Sequence, residues 1–333
     1  RRGHDVTLIT GDFGQADEIV CRGVRVLKIR GTRDYWGALR RANADAYYYS
    51  CAGRLLALQS AFCALNDRRS VFRVASDADC DPSKVEIRRP WDRALYHAGL
   101  RGTDEVLVQT DLQRDLLAGM HGIESRVADM LVEPPGPVVQ EKDIDVLWVS
   151  NLKQIKRPDR LLAIARACSK LRFHMVGGCV TGHEALYDRI ESQAKLIPNL
   201  TFHGQVAYAE IGAIFDRAHV FLNTSELEGF PNTYLQAWVR GVPVVASWDP
   251  DGIIQRLGLG CSSKSEEQLI EGLRSMFADA PRHYDPASTA ARLFMAQRYG
   301  EEKVLAPYLN ALMGQRPYLD DGNGWAEYLP PAR

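Results

Sequence analysis

Short runs rich in β-branched and aromatic residues alternate with helical patterns along the whole chain, and this alternation limits the fold more than any other feature. "VTLIT", "VRVLKI", "AYYYS", "VFRVAS" and "EVLVQ" in the first half are followed by "IDVLWVS", "RFHMVGG", "LTFHG", "VFLNTS" and "VPVVAS" in the second. Strands separated by helices predict parallel sheets with crossovers, hence an α/β protein. At 333 residues the chain exceeds one ordinary core and suits two domains of about 150 residues. The pattern restarts after "VEPPGPVVQEKD" (132–143), where prolines, a glycine and charges replace apolar periodicity. Domains are therefore expected over 1–138 and 139–313, with an irregular tail at 314–333. Helices are expected over 158–169, 266–278 and 290–313. No internal repeat or low-complexity segment is present.

Hydrophobic residues make up 46% and charged residues 25%, with a formal net charge of -1, so duplex nucleic acid is not the expected partner. Seven scattered cysteines, never spaced C-x-x-C, indicate neither a disulfide framework nor a zinc site and favour a reducing cytosol. No apolar run reaches the roughly 18 residues of a membrane span.

In open parallel sheets, ligands bind beyond the carboxyl ends of the strands. Two loops of the second half fit that rule. "VSNLKQIKRPD" brings Lys153, Lys156 and Arg157 to the start of a helix, where exposed N–H groups and cations together seat phosphate. A solvated basic loop is the plainer alternative. In "ELEGFPNTYLQAW", Gly229 allows close backbone approach and Pro231 fixes a turn. Asn232 or Thr233 would then cap a short helix ending at Gly241 before Pro243. Glu228 stands beside that helix start, where a carboxylate accepts hydrogen bonds from sugar hydroxyls. Gln236 has two readings: a ligand contact, or the far half of a Thr233-x-x-Gln236 capping box.

Together the two loops resemble glycosyltransferase family 4: a basic loop after one strand, then E-G-F after a later strand, with a polar residue eight positions beyond the first acid. "LWVSNLKQIKRPDRLLAIA" and "VFLNTSELEGFPNTYLQAWVRGVPVVAS" match its donor-binding segments, and "RRGHDVTLIT" and "GTDEVLVQTDLQRDLL" match parts of its N-terminal domain. "EGFPNTYLQAW" is particularly similar to bacterial enzymes that build exopolysaccharides and other surface glycans. The resemblance implies a GT-B fold, two facing Rossmann-like domains with a cleft between them. It also implies a retaining transfer from a nucleotide-sugar donor to a glycan or lipid-linked acceptor, without an essential metal or other cofactor. By the same resemblance Lys156 would meet the donor's diphosphate and Glu228 the donor sugar's hydroxyls. The backbone of Gly229, Phe230, Pro231, Asn232 and Thr233 would shape the pocket, and Gln236 would replace the acid that usually binds ribose. Asn151 occupies the family's Arg position, leaving Lys153 as a possible second cation. These departures keep a non-catalytic binding subunit in view, beside a GT-B epimerase or hydrolase. The resemblance further implies that a first strand, its glycine-containing loop and most of a first helix precede Arg1.

In the first half, Asp77 of "RVASDADCDP" is the candidate for an acceptor-side or catalytic contact. Its D-x-D spacing imitates a metal motif of another transferase fold, although a solvated turn or capping cluster is the simpler expectation, with Cys80 a packed thiol. "RRPWDRALYHAGLRG" offers Arg88, Arg89, Arg93 and Arg101 with two aromatics, a composition suited to anionic lipid at the cytoplasmic membrane face. The alternative is a surface helix with Trp91, Leu95 and Tyr96 packed inward. His97, His121, His174, His203 and His219 show no ligand spacing and are expected to be structural.

Overall fold

The computed structural model describes residues 3–85, 87–134 and 142–314, which fall into two compact units. The first comprises residues 3–128 with 305–314, the second residues 129–304. The division thus falls after Ala128, and residues 305–314 group with the first unit rather than the second. Much of the expected linker (135–141) and residues 315–333 of the expected tail lie outside the described residues.

The first unit holds seven strands: β1 (Thr7–Thr10), β2 (Glu18–Cys21), β3 (Val24–Lys28), β4 (Ala46–Ser50), β5 (Arg69–Arg73), β6 (Glu105–Val108) and β7 (Arg126–Val127). They form two sheets, β1-β3-β2 and β4-β5-β6-β7. All pairs are parallel except β2–β3, a hairpin that sequence reading missed. Its Arg22-Gly23 loop has positive φ at both residues (51° and 81°), the conformation whose twist suits a two-residue turn. Ile9 of β1 and Tyr47 of β4 pack into one cluster with Tyr35, Leu39, Phe62 and Cys63. Yet no ladder joins the two sheets among the described residues, so β1 and β4 are both edges.

The second unit carries β8 (Ile144–Val149), β9 (Phe173–Val176), β10 (Leu200–Gly204), β11 (Ala218–Asn223), β12 (Val244–Ala246) and β13 (Gly260–Ser262). They make one parallel sheet in the order β10-β9-β8-β11-β12-β13. Pleating sends Val146 and Trp148 of β8 to one face, beneath helices Pro158–Ala167, Glu184–Ala194 and Glu266–Ala278. Leu147 and Val149 go to the other, beneath helices Tyr208–Asp216, Asn232–Trp238 and Tyr284–Arg298. Apolar cover on both faces explains why these strands read as continuous hydrophobic runs.

The helix expected over 290–313 is two helices, Tyr284–Arg298 and Glu301–Met313, separated at Tyr299-Gly300. The glycine breaks a pattern whose apolar periodicity otherwise continues. Tyr308, Ala311 and Leu312 of the last helix pack on Val71, Leu107 and Ala128, which is why its end belongs to the first unit. Helix Pro90–Arg101 also departs from expectation. Tyr96 is fully buried, whereas Trp91 is 82% exposed and Leu95 is exposed too. Five residues of helix rotate the chain to roughly 140° from its start, so Trp91 and Tyr96 cannot share an inward face.

Candidate donor site at the switch point of the second sheet

In the second unit the strand order reverses between β8 and β11, because the chain leaves β8 in one direction and returns to its other side. Loops at the carboxyl ends of those two strands flank a crevice there. They are the two loops singled out by sequence.

Lys156 ends a 3-10 turn after β8, and its Nζ lies 2.5 Å from Glu228 Oε2 in the loop after β11. Both side chains are largely but not fully buried. The other oxygen of Glu228 accepts from the Ser225 hydroxyl at 2.6 Å and from Asn223 Nδ2 at 3.5 Å. Asn223 Oδ1 in turn accepts from the Ser225 N–H at 2.9 Å. Ser225 and Asn223 therefore orient the carboxylate, and sequence reading missed both. Their signal was the "NTS" run at the strand's carboxyl end.

The loops are also stitched through their backbones. The Thr224 hydroxyl accepts from Trp148 Nε1 at 3.0 Å and sits 2.8 and 3.0 Å from the Lys156 and Arg157 carbonyls as donor. The Glu226 N–H donates to the Ile155 carbonyl at 2.9 Å.

Arg157, counted in the expected phosphate seat, is instead committed to carboxylates. It binds Asp159 at 2.9 Å and Glu226 at 2.5 Å, which raise its pKa and leave it a local structural cation. Lys153 is half-buried ahead of the turn, and Asn151 is exposed.

Pro231, not Asn232 or Thr233, occupies the cap position of helix Asn232–Trp238, and no side chain caps it. The Thr233–Gln236 capping box is therefore not formed: with Pro231 at the cap, Thr233 is already the second residue of the helix, two positions past the place from which its hydroxyl could cap. Gln236 is half-buried, and its side chain makes no hydrogen bond among the described residues. Phe230 packs its ring against Trp238, 6.2 Å between centroids, so it anchors the loop in the core. Gly229 is buried, and its carbonyl accepts from Trp248 Nε1 at 3.2 Å. Trp248, unpredicted, also lies under the Lys264 ammonium, 4.5 Å from its ring centroid. Beside it, burial raises the pKa of Asp249, whose carboxylate holds the Ile254 and Gln255 N–H groups and the Ser262 hydroxyl.

Asp77 belongs to the first unit and is buried rather than solvated, with Oδ1 accepting from Gln113 Nε2 at 2.8 Å. Asp79 forms a capping box with Ser76, and Cys80 is fully buried. Among the described residues no group of three or more His, Cys, Asp or Glu is arranged to hold a metal ion.

Residues 143–279 match the family model of glycosyl transferases group 1. A curated protein of Klebsiella pneumoniae, described as an uncharacterized 41.2 kDa protein in the cps region, is 31% identical over 111 residues. That match covers 33% of this chain, and the chain spans only 29% of that relative's length. Among solved structures, sucrose-phosphate synthase from Thermosynechococcus elongatus aligns with a TM-score of 0.74 at 15% identity, over 94% of this chain and 89% of its own. HepE from Anabaena, solved with UDP and glucose, aligns with a TM-score of 0.70 at 15% identity, over 87% and 86% respectively. The fold is thus α/β of the GT-B class.

Proposed function

We propose that this protein is a retaining glycosyltransferase that moves a sugar from a nucleotide-sugar donor, bound by its second unit, to a hydroxyl of a glycan or lipid-linked acceptor in surface-glycan assembly. The observation that carries this reading is the Lys156–Glu228 pair at the switch point, inside the segment matched by the family model. A cation there offsets the charge that develops on the departing diphosphate, and a carboxylate oriented by Ser225 accepts from sugar hydroxyls. Lys153 is a second cation within the same loop. Gln236, with its amide uncommitted, serves as donor and acceptor to the ribose in place of an acid. UDP is the first nucleotide to test, because HepE was solved with it. The cps-region relative supports the surface-glycan assignment. No protein base is required if the donor's own phosphate takes the acceptor proton on the same face.

An acceptor anchored in lipid also suits helix Pro90–Arg101, whose exposed Trp91 and Leu95 lie beside exposed Arg88 and Arg89. Binding to phosphatidylglycerol vesicles but not phosphatidylcholine vesicles, lost in Trp91→Ala, is the expected result at the cytoplasmic membrane face.

Turnover of UDP-, GDP- and ADP-sugars with and without acceptors tests the main reading. Glu228→Ala and Lys156→Ala should each lower it by at least about 100-fold while the thermal transition is retained. Unchanged turnover in both variants rejects this site. A new sugar nucleotide made without acceptor would identify an epimerase instead. The exposed Asn151 and the neutral Gln236 favour a binding subunit as the second reading, which predicts donor binding without turnover.

A further inference from the structure

Arg73 is only 8% exposed, its Nε has no hydrogen-bond partner, and no carboxylate lies within ion-pair distance among the described residues. Arg240, the other arginine buried to this degree among the described residues, does not share this condition, nor does the half-buried Arg298. Arg240 is paired with Asp216 at 2.7 Å and Arg298 with Asp129 at 2.9 Å. A guanidinium taken out of water without an anion is costly, so its persistence calls for a partner supplied from outside.

Its position is that of a binding group. Arg73 is the last residue of β5, an interior strand, with Ser50 of β4 and Leu107 of β6 as its ladder neighbours. It therefore stands at the carboxyl end of a parallel sheet, where such folds place ligands. Alternation puts it on the same face as Val71, one step beyond the patch covered by helix Glu301–Met313. Neutral groups hold it there. With the Gln109 amide turned to the orientation that satisfies both of its ends, its carbonyl oxygen accepts from Arg73 Nη2 at 2.8 Å and its nitrogen donates to the Ala75 carbonyl at 3.0 Å. Tyr48, on the same face, has its phenol pKa pushed up by burial and pulled back by Arg73 beside it. At the end of β4, Cys51 takes a φ of 72°, unusual for a residue with a side chain, and its N–H donates to the Arg73 carbonyl at 3.3 Å.

We infer that Arg73, with the Tyr48 hydroxyl and the Gln109 side chain, forms an oxyanion subsite on the first unit that recognises a carboxylate or phosphate carried by the acceptor. A guanidinium whose plane is already fixed by neutral partners offers its unpartnered Nε–H to such a planar or tetrahedral anion at little entropic cost. The assignment of the ligand as acceptor rests on the glycosyl-transfer reading, but the anion chemistry does not.

The test is calorimetric titration of the full chain with inorganic phosphate, D-glucuronate and D-glucose, with UDP as the readout of the second unit. Phosphate alone binding points to a phosphorylated acceptor, and glucuronate alone to an acidic sugar. Glucose should not bind at this subsite. Arg73→Gln should weaken oxyanion binding by about tenfold or more, with Arg73→Lys intermediate and UDP binding unchanged in both. Wild-type protein that binds neither oxyanion, or Arg73→Gln that binds them as wild type does, overturns the inference. If Arg73→Gln fails to fold, Tyr48→Phe carries the test and should weaken the same binding by roughly threefold; unaltered binding then overturns it. Loss of UDP binding by wild-type protein, with Arg73-dependent oxyanion binding intact, would sink the donor-site reading alone.

Discussion

The second unit joins six strands in one parallel ladder with β8 paired on both sides, whereas the first divides seven strands between two sheets and leaves β1 and β4 as edges. The continuous ladder has apolar cover on both faces and brings two loops together where its order reverses. The split arrangement shares one cluster across the break but, among the described residues, leaves one side of β1 and of β4 without ladder partners, and Val6 and Leu8 exposed. A shared apolar cluster thus holds strands in one unit without making them one sheet; hydrogen-bonded register is a separate requirement.

The sharpest way to break the comparison is Gly260→Ala. Gly260 has a φ of 145° in β13, and a Cβ there would meet the Val244 carbonyl of the neighbouring strand. A loss of about 2–5 kcal/mol is expected, read as a lowered urea midpoint for the second unit. A value near zero would mean that this sheet is not closely registered. Gly99→Ala in the first unit drives a Cβ into the Ala57 backbone, where helices Leu55–Leu65 and Pro90–Arg101 touch. About 1–3 kcal/mol is expected, because the helices have more freedom to shift and alanine favours the helix.

Native-state hydrogen exchange sharpens the same contrast without mutation. Amides of β8 should exchange about 100-fold or more slowly than those of β1, and equal protection would show the split to be closed in solution.

A smaller difference should appear with pH. Burial holds His97, His174, His203 and His219 below the ordinary histidine value of 6.5. The unfolded chain therefore binds more protons than the folded one below that value. The stability is present above pH 6.5 and lost as pH falls through the folded values. Three of the four histidines lie in the second unit, so its urea midpoint should fall more between pH 7.5 and 5.5. A midpoint that rises on acidification would contradict the assignment.

The smallest effect is expected from Thr233→Ala, within about 0.5 kcal/mol, since Pro231 holds the cap position. A loss of about 1 kcal/mol would restore the capping box.

Sequence carried the α/β class and singled out each of the two switch-point loops because apolar alternation and turn residues act locally; their pairing came from the family resemblance. "VSNLKQIKRPD" shows a strand end, a turn and a helix start within a dozen or so residues, and "ELEGFPNTYLQAW" a turn and a helix start. It did not carry what depends on rotation or on distant partners. Trp91 and Tyr96 look alike in composition, but helical rotation parts them. Arg157 reads as a phosphate ligand until Glu226, 69 positions away, is seen beside it. The β2–β3 hairpin was masked by a strand exposed throughout, which lacks an alternating apolar face. Arg73 passed unnoticed inside a hydrophobic run, because its oddity is the absence of a counter-charge in three dimensions among the described residues.

The Thr224 hydroxyl ties the end of β11 to the carbonyls of Lys156 and Arg157 while taking the Trp148 indole from β8. The two loops are therefore not independent modules. A chimera that imports residues 150–157 from a relative without its partner at 224–231 would inherit the cation but not its height above the sheet. The transplantable piece is both loops together with the threonine and tryptophan that fix their spacing.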